Sequence, residues 1–141
     1  MLTFRMKKIS LMILAIGLFS DILSSQVPDS AKYCSLQPSE FQKMYLSDKH
    51  ALLIDVREPF EIKKKMIPGA VNIPSKGGAD AAADTIDKET SLYIYCVSGF
   101  RSKRVAISFY DKGFRKLYSL DGGITAWKEK GYPVKRKNQK K

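Results

Sequence analysis

The 141-residue chain has few of the side chains from which metal sites and disulfide frameworks are built. It contains two cysteines, Cys34 and Cys96, and one histidine, His50. These are too few for a four-ligand structural zinc site, and no Cys-x-x-Cys pair is present, so we predict neither a metal site nor a cofactor. A Cys34–Cys96 disulfide could form in an oxidising compartment, and the sequence alone leaves this open. We expect His50 to lie at the surface rather than to act in catalysis.

The chain also lacks internal repeats, long linkers and recognisable nucleic-acid-binding motifs. Its length, with 44% apolar residues, supports one domain with a hydrophobic core. No zinc-finger spacing and no basic repeat interleaved with aromatic residues is present, so we expect no nucleic-acid partner.

Negative charge is scarce relative to positive charge. There are 25 lysines and arginines against 14 acidic residues, a formal net charge of +11. Without residues 1–25, which hold three basic residues and one acidic residue, the charge is still +9. Such a field favours anionic substrates, anionic partners or a membrane surface. The simplest interpretation of the "KKK" run at 63–65 and of the basic tail at 135–141 is solvated surface.

The one long apolar run lies near the amino terminus. Residues 1–25 begin with basic side chains, continue through the apolar run 9–19 and end in small and polar residues. This order is typical of a secretory signal, and the run is short for a membrane span. We predict a signal peptide, cleaved between Ser20 and Val27, and export to the periplasm or the exterior. The alternatives are an uncleaved membrane anchor and a buried N-terminal helix, and we expect membrane contact only through this segment.

The remaining sequence alternates between strand-like and helix-like segments. Continuous apolar or β-rich runs predict strands over 51–56, 69–74, 91–96 and 116–120. Helical periodicity and helix-ending glycines predict helices over 37–47, 78–86, 102–110 and 123–131. This alternation favours an α/β fold with a mainly parallel sheet between helices, in which ligands bind at the carboxyl ends of the strands.

Cys96 ends one predicted strand, in the segment "YCVSGFRS". The backbone N–H groups from Val97 to Arg101 can turn inward, Gly99 permits a left-handed backbone, and the following helix adds partial positive charge. Such a position favours a thiolate nucleophile and binds the anion that it attacks. Arg101 adds full positive charge and a planar fork suited to oxyanions. The alternative is a structural cysteine in a turn between a strand and a helix.

Four segments carry a family resemblance: "LIDVREPFEI", "IPGAVNIP", "YCVSGFRSKRVA" and "LDGGITAWKEKGYPV". In order and spacing the chain resembles a single-domain rhodanese, a thiosulfate sulfurtransferase, over about 35–134. The resemblance implies a central, mainly parallel five-stranded sheet flanked by helices. We therefore predict a rhodanese-like domain over 30–134, followed by the basic tail.

The resemblance also implies a mechanism and a set of site residues. Cys96 would be the nucleophile that carries sulfur as a persulfide, with Arg101 as its catalytic partner. Thiosulfate or a similar anion would be the donor, and cyanide, a thiol or a protein would be the acceptor. The implied substrate-binding residues are Val97, Ser98, Gly99, Phe100, Asp55 and Arg57. For Asp55 and Arg57, fixing the loops by hydrogen bonds and ion pairs is an equally good interpretation.

Two rival functions remain at this stage. A cysteine phosphatase or arsenate reductase uses similar chemistry, but the loop between Cys96 and Arg101 is one residue shorter than in the phosphatase family that shares this fold. The second rival is a module that binds a partner or carries a persulfide with little turnover of its own. The cysteine, glycine and arginine of the loop argue against an inert domain.

Overall fold

The computed structural model of the protein describes residues 27–62 and 65–136. The predicted signal or anchor segment 1–25 lies outside the described residues, as do Lys63, Lys64 and most of the basic tail. After a short 3-10 turn at Asp29–Ala31, the described elements are β1 (Cys34–Leu36), α1 (Pro38–Ser47), β2 (Ala51–Asp55), β3 (Val71–Asn72), α2 (Gly78–Ala83), β4 (Ser91–Tyr95), α3 (Phe100–Asp111), β5 (Leu117–Leu120) and α4 (Gly123–Glu129). No helix within 27–62 and 65–136 has the length and apolar character needed to cross a bilayer.

The five strands form one parallel sheet in the order β1-β5-β4-β2-β3. The central strand β4 pairs with β2 in a register that places Tyr95 beside Asp55. Because all strands run in the same direction, the segments that follow β2, β3 and β4 all leave the sheet at the carboxyl end of the strands. The predicted α/β fold with a five-stranded parallel sheet is confirmed.

Helices cover both faces of the sheet. Strand β4 is buried along its whole length, with Leu92 and Ile94 on one face and Tyr93 and Tyr95 on the other. The first face packs against α2 and α3, and the second against α1 and α4, where Trp127 is buried. A central strand covered on both faces needs apolar side chains at every position, which is why the run predicts a strand without alternation.

The two cysteines lie on different strands: Cys34 begins the edge strand β1, and Cys96 follows the central strand β4. Cys34 is exposed on β1 and Cys96 is buried, and both are free thiols. Cys34 aligns with Tyr118, and Tyr118 with Tyr93, three residues before Cys96. Two strand spacings and three residue rises separate the Cα atoms by roughly 14 Å, whereas a disulfide requires about 4.4–6.8 Å. The disulfide that the sequence left open is therefore absent. His50 is exposed at the amino end of β2, as predicted.

Candidate active site

The chain passes from strand to helix within four residues at Cys96. Cys96 directly follows the last residue of β4 and is 1% exposed, and α3 begins at Phe100, two residues before the predicted start. Gly99 has a left-handed backbone with φ of 93°, and a Cβ there would lie 3.2 Å from the carbonyl oxygen of Leu120. Glycine can adopt this backbone conformation and, without a Cβ, can lie this close to the Leu120 carbonyl. The helix α3 can therefore start directly beside the thiol.

Polar groups from α3 and its N-terminal loop surround the thiol. The backbone N–H of Gly99 donates to Cys96 Sγ over 3.1 Å. The Ser102 hydroxyl lies 3.8 Å from Sγ and donates to the Gly99 carbonyl over 3.0 Å. It is also 2.9 Å from the buried Ser119 hydroxyl on β5. The donors at the start of a helix stabilise negative charge on sulfur and on an anion bound next to it.

The first turn of α4 supports the loop from the other side. The N–H of Ile124 donates to the Cys96 carbonyl over 2.9 Å, and the N–H of Thr125 donates to the Val97 carbonyl over 3.2 Å. Because a trans peptide points its C=O and N–H in opposite directions, the N–H groups of Val97 and Ser98 point away from α4. These two N–H groups are therefore available to an anion at the loop.

Gly123 makes this support possible. A Cβ at Gly123 would lie 2.4 Å from the Val97 carbonyl oxygen, and its φ is 59°. No L side chain fits there without moving the loop, so the second glycine of the "GG" pair in the fourth matched segment lets α4 pack against the loop.

The predicted loop residues differ in exposure: Val97, Ser98 and Phe100 are exposed, whereas Gly99 is buried.

Arg101 forms a bidentate ion pair with Glu61. Its Nη1 lies 2.6 Å from Oε2 and its Nη2 lies 2.7 Å from Oε1 of that carboxylate. Hydrogen bonds from Arg101 lower the pKa of Glu61 to about 2, and the same contacts raise the pKa of Arg101. No pattern in the sequence points to Glu61, which lies 40 positions from its partner. Both terminal nitrogens of Arg101 contact Glu61, and a direct contact of Arg101 with substrate stays a prediction.

Asp55 and Arg57 form a second, buried ion pair behind the loop. The carboxylate of Asp55 accepts hydrogen bonds from the Arg57 backbone N–H at 3.0 Å and from its Nη2 at 2.6 Å. The same Nη2 donates to the carbonyl of Lys65 over 2.8 Å. The pair thus joins the end of β2 to the segment that leads to β3. Asp55 and Arg57 therefore fix the loops, which is one of the two roles that the sequence offered for them.

A third carboxylate, Glu58, links the same loops. Its Oε1 accepts from the Ser75 hydroxyl at 3.2 Å and from the Lys76 backbone N–H at 3.3 Å. Its own N–H donates to Glu61 Oε2 over 2.7 Å, which closes the turn 58–61. The loops after β2 and β3 are therefore connected to each other and, through Glu61, to the start of α3. Among residues 27–62 and 65–136, no group of three His, Cys, Asp or Glu side chains could hold a metal ion.

Comparisons with known proteins agree with this arrangement. A family model described as a rhodanese-like domain matches residues 37–130. A sulfurtransferase of Allochromatium vinosum is 35% identical over 97 residues, which are 68% of this chain and 90% of that protein. The thiosulfate sulfurtransferase GlpE of Pseudomonas syringae pv. syringae is 31% identical over 87 residues, which are 62% of this chain and 81% of that protein.

A solved structure matches to a similar extent. The crystal structure of a rhodanese-like domain protein from Staphylococcus aureus has a TM-score of 0.64 and 28% identity to this chain. The match covers 74% of this chain and 99% of that one. The residues matched by the family model, 37–130, include the loop 96–101 and the four residues of the two ion pairs described above.

Proposed function

The chain belongs to the rhodanese-like domain family, and we propose that it is a sulfurtransferase that works through a persulfide on Cys96. The proposed donor is thiosulfate or a similar anion with a sulfane sulfur. One observation carries the proposal: the buried Cys96 thiol lies at the carboxyl end of β4, with Sγ 3.1 Å from the Gly99 N–H at the start of α3. This position supplies both a nucleophile and a set of anion-binding N–H groups.

The first step loads sulfur onto the protein. The Cys96 thiolate attacks the outer sulfur of thiosulfate and forms an Sγ–S bond, while the S–S bond of thiosulfate breaks and its electron pair leaves on sulfite. The N–H groups of the loop stabilise the developing negative charge. The product is a persulfide whose terminal sulfur occupies the place of the donor's outer sulfur.

The second step returns the protein to its starting state. An acceptor nucleophile, such as cyanide or a thiol, attacks the terminal sulfur, and Cys96 leaves as the thiolate. Both steps exchange one sulfur between nucleophiles, so electrons balance without an added oxidant or reductant.

Intact-mass measurement after mixing with thiosulfate tests the covalent step. We expect the wild type to gain one sulfur atom and to form thiocyanate from cyanide, and Cys96→Ser to do neither, because a serine hydroxyl is a far weaker nucleophile towards sulfur. Cys34→Ser is the matched control and should behave as the wild type. Equal loss in Cys34→Ser and Cys96→Ser would refute the one-cysteine mechanism and favour a two-cysteine redox cycle.

Arg101 is proposed to stabilise the anionic donor and the departing sulfite. Arg101→Ala should slow loading by roughly 10²–10³, by analogy with the loss of one preorganised donor, while Cys96 remains open to alkylation. Arg101→Lys should rescue only part of the rate, since it restores charge without the planar fork. Because Arg101→Ala also breaks the pair with Glu61, Glu61→Gln serves as the control that removes the pair and keeps the guanidinium.

Rates with an aryl phosphate address the phosphatase alternative. Only four residues lie between Cys96 and Arg101, and a ring of N–H groups this small suits a sulfur atom better than a tetrahedral phosphate. We expect faster turnover of thiosulfate than of the phosphate ester on one preparation, and the reverse order would change the reaction class. Loading without turnover would favour the persulfide carrier.

We also propose that residues 1–25 direct export, on the basis of their basic, apolar and polar order. Amino-terminal sequencing of periplasmic or secreted protein should give a start between Ser20 and Val27. An intact Met1 chain in the cytoplasm would contradict this.

A further inference from the structure

Large apolar side chains are exposed around the thiol. Five such residues are exposed in the described part of the chain. Two of them, Phe60 and Val97, lie in the loops that follow β2 and β4, and a third, Phe100, is the first residue of α3. Phe60 is 70% exposed and Phe100 is 68% exposed. A donor such as thiosulfate has no apolar surface to bury against them, so the proposed loading step does not explain their exposure.

The ion pair between Glu61 and Arg101 joins the two chain segments that carry the phenylalanines. Phe60 directly precedes Glu61, and Phe100 directly precedes Arg101. The bidentate hydrogen bonds at 2.6 and 2.7 Å hold these two segments together beside Cys96. Exposed apolar side chains on neighbouring segments mark surfaces for macromolecular partners, and aromatic residues often dominate the binding free energy there.

A cationic cleft of about 350 Å³ adjoins these segments, between α2 and α3. Lys76, Arg101 and Arg104 line it. The Arg104 guanidinium lies 6.0 Å from the centre of the Phe100 ring, so the apolar and cationic parts are continuous.

Two of the three cations that line the cleft, Lys76 and Arg104, have no carboxylate partner in the described part of the chain. Among residues 27–62 and 65–136, no carboxylate lies within 4.0 Å of the side-chain nitrogens of Lys76 or Arg104. The carboxylate in the cleft, Asp80, already accepts from Ser108 at 3.3 Å and lies 3.7 Å from Lys112. Lys76 and Arg104 are therefore available to negative groups on a partner.

From these contacts we infer that the sulfur acceptor is a cysteine thiol on an acidic polypeptide, which docks on the surface formed by Phe60, Phe100, Lys76 and Arg104. This inference rests on the proposed function and specifies its second step. The partner's thiolate attacks the terminal sulfur of the Cys96 persulfide, the Sγ–S bond breaks, and its electron pair returns to Sγ. The partner leaves with a persulfide on its own cysteine.

An anionic membrane could also bind apolar and cationic side chains. It would not explain why these side chains lie on the segments next to Cys96. The docking surface belongs to the segments that follow β2, β3 and β4, which leave the carboxyl end of the sheet where Cys96 lies, and contact there brings the partner to the sulfur. A lipid headgroup carries no thiol to receive that sulfur. The acidic polypeptide accounts for the charge, the aromatic residues and the reactive centre together.

The test measures single-turnover sulfur transfer from the full chain loaded with thiosulfate and freed of excess donor. The probes are three synthetic peptides of equal length, each with one cysteine beside leucines and flanked by glutamate, glutamine or lysine. We expect transfer to the glutamate peptide to be fastest, by about tenfold over the glutamine peptide at low salt, and to slow as salt is added. The lysine peptide should be slowest.

Paired variants connect the effect to the docking surface. Lys76→Gln with Arg104→Gln should remove most of the preference for the glutamate peptide, and Phe60→Ser should slow transfer to all three peptides by roughly fivefold or more. Lys49→Gln and Leu46→Ser are the matched controls, because both residues are exposed and come before β2, at the amino end of the strands and away from Cys96. The controls should match the wild type.

The outcomes separate this inference from the proposed function. Failure to load sulfur would refute the proposed function itself, whereas normal loading and normal transfer to cyanide with no preference among the peptides would refute only the acidic partner. Cosedimentation with vesicles of phosphatidylserine and phosphatidylcholine tests the membrane. Vesicle binding that is lost in the docking-surface variants, together with unchanged peptide rates, would overturn the inference in favour of a lipid surface.

Discussion

Replacing Glu61 with glutamine tests how strongly its ion pair with Arg101 stabilises the fold. The hydrogen bonds from Arg101 hold the pKa of Glu61 at about 2, against an ordinary value of 4.5. The difference between these values corresponds to roughly 3 kcal/mol in favour of the charged form at neutral pH. The Arg101 and Glu61 side chains are 32% and 21% exposed, so solvent reduces the effect. We expect Glu61→Gln to lower the free energy of unfolding by about 1.5–3 kcal/mol near neutral pH.

The pH dependence has a definite sign. Because the pKa of Glu61 is lower in the folded state than in the unfolded state, its contribution is fully present above about pH 4.5 and is lost as the pH falls towards 2. Glutamine does not titrate, so the stability gap between wild type and variant should be constant from neutral pH to about pH 5 and should then shrink. Urea unfolding followed by fluorescence of Trp127, the single and buried tryptophan, measures the gap.

An exposed ion pair provides the control. The Glu89 carboxylate, 83% exposed, lies 3.1 Å from Lys116, and Glu89→Gln should cost no more than about 0.5 kcal/mol. The reasoning is refuted if Glu61→Gln costs no more than this control, or if the gap remains constant on acidification. Other carboxyl groups with a lowered pKa, such as Asp48 and Asp121, are present in both proteins and cancel in the comparison.

Two further substitutions test the support of the loop. Gly123→Ala should destabilise the protein by about 2 kcal/mol more than Gly113→Ala, because a Cβ would meet the Val97 carbonyl at 2.4 Å at the first site and no atom within 4 Å at the second. Both glycines have positive φ, so an alanine meets backbone strain at both sites, and equal losses in paired urea curves would contradict the prediction. Asp55→Asn should cost about 3–5 kcal/mol, because it leaves buried Arg57 without its counter-charge; a loss below about 1 kcal/mol in the same assay would argue against this.

The elements in the middle of the sheet could be predicted because their signals are local. The apolar runs predict strands over 51–56 and 91–96, and the strands span Ala51–Asp55 and Ser91–Tyr95. Helix boundaries were less accurate. The helix predicted over 102–110 begins at Phe100, since the left-handed Gly99 lets the first turn form directly after the loop. The helix predicted over 78–86 ends at Ala83, where the N–H groups of Asp84 and Thr85 bond to the carbonyls of Ala81 and Ala82, three residues back, as in a turn.

Features that depend on distant residues gave no sequence signal. Strand β1 has only three residues and exists because it pairs with β5, more than eighty positions away. Its burial pattern is too short to show a period. The pairing of Arg101 was missed for the same reason, since Asp55, Glu58 and Glu61 all precede the loop and the sequence does not say which carboxylate meets the guanidinium. The tertiary structure determines which carboxylate pairs with Arg101.

The three carboxylates explain how an anionic donor can approach a loop that lies beside so much negative charge. Asp55 is neutralised by Arg57, Glu61 by Arg101, and Glu58 accepts hydrogen bonds from the loop after β3. Each carboxylate therefore positions a loop, and the charges of Asp55 and Glu61 are balanced by their arginine partners. The positive end of α3 lies at Cys96, and the unpaired cations of the adjoining cleft lie beside it; both attract negative groups. The same internal neutralisation that fixes the loops thus leaves the surface around the sulfur positive for the donor and, in turn, for an acidic acceptor.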